Sequence, residues 1–364
     1  MPAPTLPLFS LDQLLLVKQN FLAELQASKQ GQSTSLAYVQ NPFPQNLPLK
    51  LGQTFQVMVI GGRIFKTALA RRSESGISLE QLTQDTLPTL DTKEIFFNFF
   101  TAHLNERVDH VALNFAYPLQ PVANGSYLDG TLFKGTKEHA FAGLIGQLVG
   151  RELIEAVQAT LGRTIHLSLA NDTVCLVLSG TDRHATERLV GGVVGTGINF
   201  GFFADQNTII NLESANFNRA SQTQTGKLID QESLTPGNAL FEKEVSGAYL
   251  YKHYNLTVGT QGEHIADSDS LSQLATDTNH PFHDLAQYLL NRSASLVACQ
   301  VAGIYEFKRQ PHLTFVMEGS LFWNGWHYHQ TVEDYVVKLG VASDAVDFLH
   351  IDHSGLVGAA HLLV

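Results

Sequence analysis

Residues 164–213 leave few folds open to this chain. Thr164–Ala170 alternates and is β-branched enough for a buried strand, and Asn171, Asp172 and Thr173 follow it directly. That order puts an acid at the carboxyl end of a strand, where open α/β sheets place their ligands. The run Leu189–Phe203 then reads as strand, Gly195-Thr196-Gly197 turn, strand, and Asn211-Leu212-Glu213 comes after it. Glycines lacking Cβ let backbone N–H groups approach a phosphate closely, and Thr196 adds a hydroxyl donor. The same pattern occurs once upstream, as Phe55–Ile60, a Gly61-Gly62 turn, and Ile64–Ala70. Two such hairpins suggest an internal duplication. On facing domains a pair of them can hold a nucleotide's phosphates, whereas a single glycine-rich turn more often only reverses the chain.

With 364 residues the chain is long enough for two domains, and 44% apolar against 16% charged residues describes a well-cored globular protein. A formal net charge of −11, with no Lys/Arg run longer than a pair such as Arg71-Arg72, argues against nucleic acid or an anionic membrane as partner. Cys175 and Cys299 both lie in apolar runs and read as small buried hydrophobes. No signal-peptide pattern opens the sequence and no run approaches eighteen apolar residues, so the expectation is a soluble cytoplasmic protein. The histidine pairs His327/His329 and His350/His353 are read as chance neighbours among 15 histidines, and no metal site is assigned.

Taken in order, a capping box at Ser10–Gln13 and apolar residues at helical spacing predict a first helix over 11–28. Proline-rich residues 41–48 end it before the first hairpin. Short helices are expected over Ser78–Leu87 and Thr92–Leu104, the second with Phe96, Phe97, Phe99 and Phe100 in the core. Val111–Tyr117 reads as a strand that Pro118 ends, followed by a polar loop. Arg151–Leu161 reads as an amphipathic helix stopped by Gly162. Beyond Glu213 the sequence predicts a polar turn region, a helix bearing Glu242, a loop or lid base over 256–284, and a long apolar helix over Leu285–Lys308. A strand over 313–318, a helix starting near Thr331, a strand over 346–351 and a last small-residue helix complete an α/β reading.

These residues together resemble the hexokinase and glucokinase family. The resemblance rests on Pro118, Leu128-Asp129-Gly130, Thr136-Lys137, Asn171-Asp172-Thr173, Gly195–Asn199, Asn211–Glu213, Pro236-Gly237, Phe241-Glu242-Lys243, Glu318-Gly319-Ser320, and Ser354-Gly355 with Gly358–Ala360, in the family's order. It implies the two-lobed actin-like ATPase fold, ribonuclease H-like, with a duplicated hairpin-bearing core and a cleft between lobes. The lobes would run 49–172 with 352–364 (small) and 173–351 (large), residues 1–48 packing on the large one. It implies transfer of the ATP γ-phosphoryl group to the 6-hydroxyl of a hexose, glucose first among them, with Mg2+ as cofactor. Asp172 would be the general base. Thr136, Lys137, Asn171, Asn199, Glu213 and Glu242 would bind the sugar. Gly61, Gly62, Arg63, Gly195, Thr196, Gly197, Gly319 and Ser320 would meet the nucleotide.

The sequence departs from the family in three places. The first hairpin normally carries an Asp just before its paired glycines, which orients magnesium-bound water, and a Thr just after; here these are Val59 and Arg63, and residues 45–73 contain no acid. Losing an outer-shell metal partner typically costs about 10–100-fold, which favours an atypical metal site over a dead enzyme. Arg63 could place a guanidinium near the phosphates instead. The family's sugar-binding Ser is Ala116, a loss of about 1 kcal/mol per hydrogen bond that could shift sugar preference, toward an amino sugar for example. Residues 256–284 look trimmed. Val59 also keeps open a second reading, a non-catalytic sugar sensor.

Overall fold

The computed structural model describes residues 9–44, 46–135 and 139–364. In chain order its strands are β1 (Val39–Pro42), β2 (Thr54–Gly61), β3 (Ile64–Ser73), β4 (Gly76–Thr86), β5 (His110–Phe115), β6 (Leu119–Asn124), β7 (Tyr127–Leu132), β8 (His166–Ala170), β9 (Leu189–Val194), β10 (Ile198–Asp205), β11 (Thr208–Asn211), β12 (Leu313–Glu318) and β13 (Val346–Leu349). The helices are α1 (Leu11–Lys29), α2 (Lys93–Ala102), α3 (Val149–Leu161), α4 (Asp172–Ser179), α5 (Gln224–Glu232), α6 (Leu240–Val245), α7 (Gly247–Val258), α8 (Ser268–Thr276), α9 (His283–Lys308), α10 (Ser320–Asn324), α11 (Tyr328–Lys338) and α12 (Ser354–Ala360). None of them, among the described residues, is long and apolar enough to cross a membrane.

Contacts divide the chain into two compact units. The first comprises residues 1–38, 192–200 and 212–350, and the second 39–191, 201–211 and 351–364. The second unit is built on a five-stranded sheet of order β4-β3-β2-β5-β8, in which β2 and β3 are antiparallel and β2, β5 and β8 parallel. Met58, Phe65, Leu113 and Phe115 on one face meet Phe96, Phe100, Phe141 and Leu153 in a continuous core. Phe97 and Phe99 pack against that core, so the aromatic run is structural. The N-cap residue of α3, Leu148, offers no side-chain cap; Asp129 of β7 does the job, accepting the N–H groups of Gly150 and Arg151 at 2.7 and 3.0 Å. On the opposite face lies α12, which packs closely on α4, a Cβ on Gly358 colliding with the Cys175 carbonyl.

In the first unit the long helix α9 is the hub, touching α1, α6, α7, α8 and α11. Its residues Arg292–Ile304 are all buried, Cys299 included. The chain's other large sheet, six-stranded and of order β1-β11-β10-β9-β12-β13, pairs β12 with β13 in parallel and β11 antiparallel with β1 and β10.

The structure corrects four local expectations. Ser78–Leu87 is strand β4, paired antiparallel with β3 from Ile64↔Thr86 to Ser73↔Gly76. Its helix-like spacing comes from a bulge opposite Ala68 at Gln81, whose φ of 53° breaks the strand alternation. The polar loop after Pro118 contains the β6–β7 hairpin, turned at Gly125 with φ 61°. The turn region after Glu213 holds α5, capped by Thr223, and the loop expected over 256–284 holds α8, capped by Asp267. In the last two cases a polar stretch proved to hold a helix cap rather than a plain connector.

Candidate active site

Asp172 is the first residue of α4, directly after β8, and is half-buried. Its Oδ1 accepts the Thr173 N–H at 2.8 Å. Asn171, the N-cap, accepts the same N–H at 3.0 Å and is itself held by Asn211, whose Nδ2 donates to its Oδ1 at 3.3 Å. The Asn171 amide nitrogen donates to the Tyr117 carbonyl at 3.4 Å, so both ends of this buried side chain are engaged by the scaffold. Strand β8 therefore ends in an acid whose rotamer is set by helix capping.

In the same unit, the β2–β3 hairpin turns at Gly61-Gly62. A Cβ on Gly61 would collide with the Ala116 Cβ, and Gly62 has φ 62°, so both positions need glycine. Arg63 is exposed, and its carbonyl accepts the Leu87 N–H at 2.9 Å. His139 is a residue that the sequence reading missed. Buried at 5% exposure, it accepts the Leu90 N–H at 2.9 Å through Nδ1 and donates to the Gly62 carbonyl at 2.8 Å through Nε2. It ties the hairpin turn to the segment that follows Thr136 and Lys137. A lone histidine two residues past Lys137 gave no signal of this. Thr136 and Lys137 themselves lie outside the described residues.

The first unit gathers Thr196, Asn199, Glu213 and Glu242. The Gly195–Gly197 turn is closed by a Gly195 N–H to Gly197 carbonyl bond of 2.9 Å. It is pinned from one side by Gly247 and Ala248, whose N–H groups reach the Gly195 and Thr196 carbonyls at 2.7 and 3.2 Å. From another side comes Gly319, whose Cα lies 3.1 Å from where a Gly195 Cβ would be. Ser320 opens the five-residue helix α10 and is exposed, as is Thr196. Glu242, on α6, accepts the Ile198 N–H at 3.1 Å, and a Cβ on Gly197 would fall 2.6 Å from the same Oε2. Asn199 accepts the N–H groups of Phe200 and Ser214 at 2.8 and 3.1 Å, which sets it beside Glu213, itself in a left-handed conformation with φ 52°.

Buried charges fix α6 immediately after Glu242. Lys243, 1% exposed, donates to Asp230 at 2.6 Å, to Ser233 at 2.9 Å and to the Thr235 carbonyl at 2.9 Å. That hydrogen bond holds the Asp230 carboxyl below its ordinary range. Glu244 and Arg292, each 2% exposed, pair at 2.5 Å.

A family model described as Hexokinase matches residues 189–260 and 257–364. Hexokinase-7 of Oryza sativa subsp. japonica is 31% identical over 166 residues, 41% of this chain and 35% of the relative; hexokinase-5 of the same species is 26% identical over 269 residues, 64% and 52%. A solved structure titled a hexokinase superposes with a TM-score of 0.79 over 98% of this chain and 97% of its own at 18% identity. The hexokinase from Schistosoma mansoni complexed with glucose gives the same TM-score over 98% and 95%. Residues 189–364, just under half of the chain, thus match the hexokinase family. The chain's fold is the two-lobed actin-like sugar-kinase fold of those structures. The matched stretches span about a third to a half of the length of these hexokinase relatives from rice. The hexokinase model takes in the second hairpin, Glu213, Glu242 and Gly319, while Asp172 and the first hairpin lie outside the residues it matches.

Proposed function

We propose that this chain phosphorylates a hexose, glucose first among candidates, at its 6-hydroxyl with ATP as donor. The observation that carries the reading is Asp172: a carboxylate just past the carboxyl end of β8, the edge strand of the parallel run β2-β5-β8, partly open to solvent and held by the Thr173 N–H. It would take the proton of the sugar hydroxyl as that oxygen attacks the γ-phosphorus, a role generally worth about 10²–10⁴-fold. Asn199, Glu213 and Glu242 would bind sugar hydroxyls, carboxylates and amides being able to fork to adjacent ones, and Asn171, with Thr136 and Lys137, would complete the set. The Gly195–Gly197 turn, with the Thr196 hydroxyl, would meet the transferring phosphate, and Gly319 and Ser320 the nucleoside side. Phosphoryl transfer needs positioning and charge stabilisation above all, and a turn pinned by Gly247 and Gly319 supplies the first.

Coupled ADP release with Mg-ATP and glucose, mannose, fructose or N-acetylglucosamine, run beside Asp172→Asn, tests this. Sugar-dependent turnover that falls at least about a hundredfold in the variant is the expected result. Equal turnover in both proteins would remove Asp172 from the mechanism. Val59 favours a second reading, a sugar-binding sensor without catalysis, which glucose binding with no turnover on any sugar would support.

A further inference from the structure

The β2–β3 hairpin does not fit the magnesium arrangement that the hexokinase family implies there. The position of the metal-orienting Asp is Val59, whose register partners are Lys66 on β3 and Asn114 on β5, so the three lie in one row across the sheet face that α12 covers. A Cβ on Gly355 of α12 would stand 3.4 Å from a Val59 methyl and 3.0 Å from Asn114 Nδ2. That amide already donates to the Gly355 carbonyl at 3.3 Å. Asn114 is 2% exposed, and its Oδ1 has no hydrogen-bond partner. Magnesium needs six oxygens in near-octahedral order, usually with one or two carboxylates or phosphates among them. This row offers valine methyls, one amide oxygen and an ammonium group that repels a cation. Among the described residues no cluster of three or more His, Cys, Asp or Glu side chains could hold one either.

The mismatch is one of charge sign. In place of a carboxylate that holds a hydrated cation, the row carries its positive charge covalently, on a half-buried lysine three residues past the exposed Arg63. We propose that this hairpin receives the polyphosphate of a nucleotide as the uncomplexed anion, with Lys66 supplying the charge, so that nucleotide binding by this chain does not depend on a divalent cation. The proposal rests on the kinase reading only in taking a nucleotide as the ligand.

The test is calorimetric titration of the full chain with ATP, once in excess Mg2+ and once in EDTA, with a separate glucose titration of the same protein. The expected result is a Kd for ATP that differs by less than about fivefold between the two buffers, where an intact outer-shell metal partner would normally be worth 10–100-fold. Lys66→Met should weaken ATP binding at least about tenfold in both buffers, Lys66→Arg should restore it, and Val59→Asp should make binding favour Mg-ATP. Binding of ATP that is tighter in Mg2+ by more than that margin, absence of ATP binding in both buffers, or a Lys66→Met variant with unchanged affinity would overturn the proposal. Absence of glucose binding beside magnesium-indifferent ATP binding would instead remove the hexose reading and uphold this one.

Discussion

Removing the Glu244 carboxylate should cost this protein more than any other single truncation in the first unit. Glu244 accepts from Arg292 Nη2 at 2.5 Å, from the Thr223 N–H at 2.8 Å and from the Thr223 hydroxyl at 3.0 Å, while its carbonyl takes Arg292 Nη1 at 3.1 Å. Both charged side chains are 2% exposed, so Glu244→Ala leaves a guanidinium buried without its counter-ion. Breaking such a pair from one side typically costs about 3–5 kcal/mol. With an unfolding entropy of about 2.1 cal/mol/K per residue, that lowers Tm by ~4–7 °C if the chain melts as one body. If the roughly 190 residues of the first unit melt on their own, the loss is ~8–13 °C.

Differential scanning calorimetry of Glu244→Ala, Arg292→Met and the double variant Glu244→Leu/Arg292→Met measures this directly. The double variant should recover most of the loss, because replacing both charges by apolar groups of similar size is generally neutral or stabilising. Glucose affinity should fall in Glu244→Ala as well, since α6 carries Glu242 two residues earlier. Single variants that lose less than about 2 °C, or a double variant as damaged as the two singles combined, would refute the argument.

Burial holds the His253 imidazole below its ordinary pKa, with Nε2–H donating to the Lys243 carbonyl at 2.8 Å and Nδ1 accepting from the Thr225 hydroxyl at 2.7 Å. The unfolded chain then binds more protons below about pH 6.5, so stability is whole above that pH and falls as pH drops beneath it, by up to ~1.4 kcal/mol per unit. His253→Gln should show a flatter dependence of Tm on pH between about 6.5 and 5.5. The His361 imidazole, its Nε2 3.3 Å from Oδ2, sets the Asp182 carboxyl low, and that contribution is lost only as pH falls below about 3.8, so Asp182→Asn should change acid unfolding and leave the His253 window untouched. Gly358→Ala should destabilise by at least about 1–3 kcal/mol in a urea melt, because its methyl meets the Cys175 backbone carbonyl rather than a movable side chain. Gly197→Ala should weaken glucose binding with little loss of Tm, the new methyl displacing Glu242 from the Ile198 N–H.

Where apolar periodicity or a turn glycine decided the outcome, the sequence was legible. The capping box at Ser10, the αL stop at Gly162 with φ 66°, the long buried helix ending at Lys308 and both glycine-tipped hairpins all stand in the structure. It was illegible where pairing with another segment overrode local pattern. Nothing local to Gly76–Thr86 says that β3 will recruit it as a strand, and a bulge at Gln81 disguises its alternation. The supports of the candidate site were hidden for the same reason. His139, Asn211 and Arg292 act on Gly62, Asn171 and Glu244 across separations of 77, 40 and 48 residues, and no window of sequence contains both partners.

The two hairpins start from the same local chemistry and end in different states, which is why repeat symmetry alone cannot assign them one function. Around Gly195–Gly197 the contacts are backbone groups and a carboxylate: the Gly247 and Ala248 N–H, Gly319 Cα and the Glu242 carboxylate. Each of those contacts fixes a turn whose threonine stays exposed. Around Gly61-Gly62 the neighbours are the Ala116 methyl and the His139 imidazole, with Val59 on the strand behind. On the proposed function the first arrangement would orient groups toward an anion. The second stiffens a turn while leaving charge to Lys66 and Arg63. Under the readings proposed above, each within its own unit, the β9–β10 turn would supply directed donors and the β2–β3 turn fixed positive charge. On that division the loss of the acid at position 59 changes how charge is delivered and leaves intact the rigid turn that positions the donor groups.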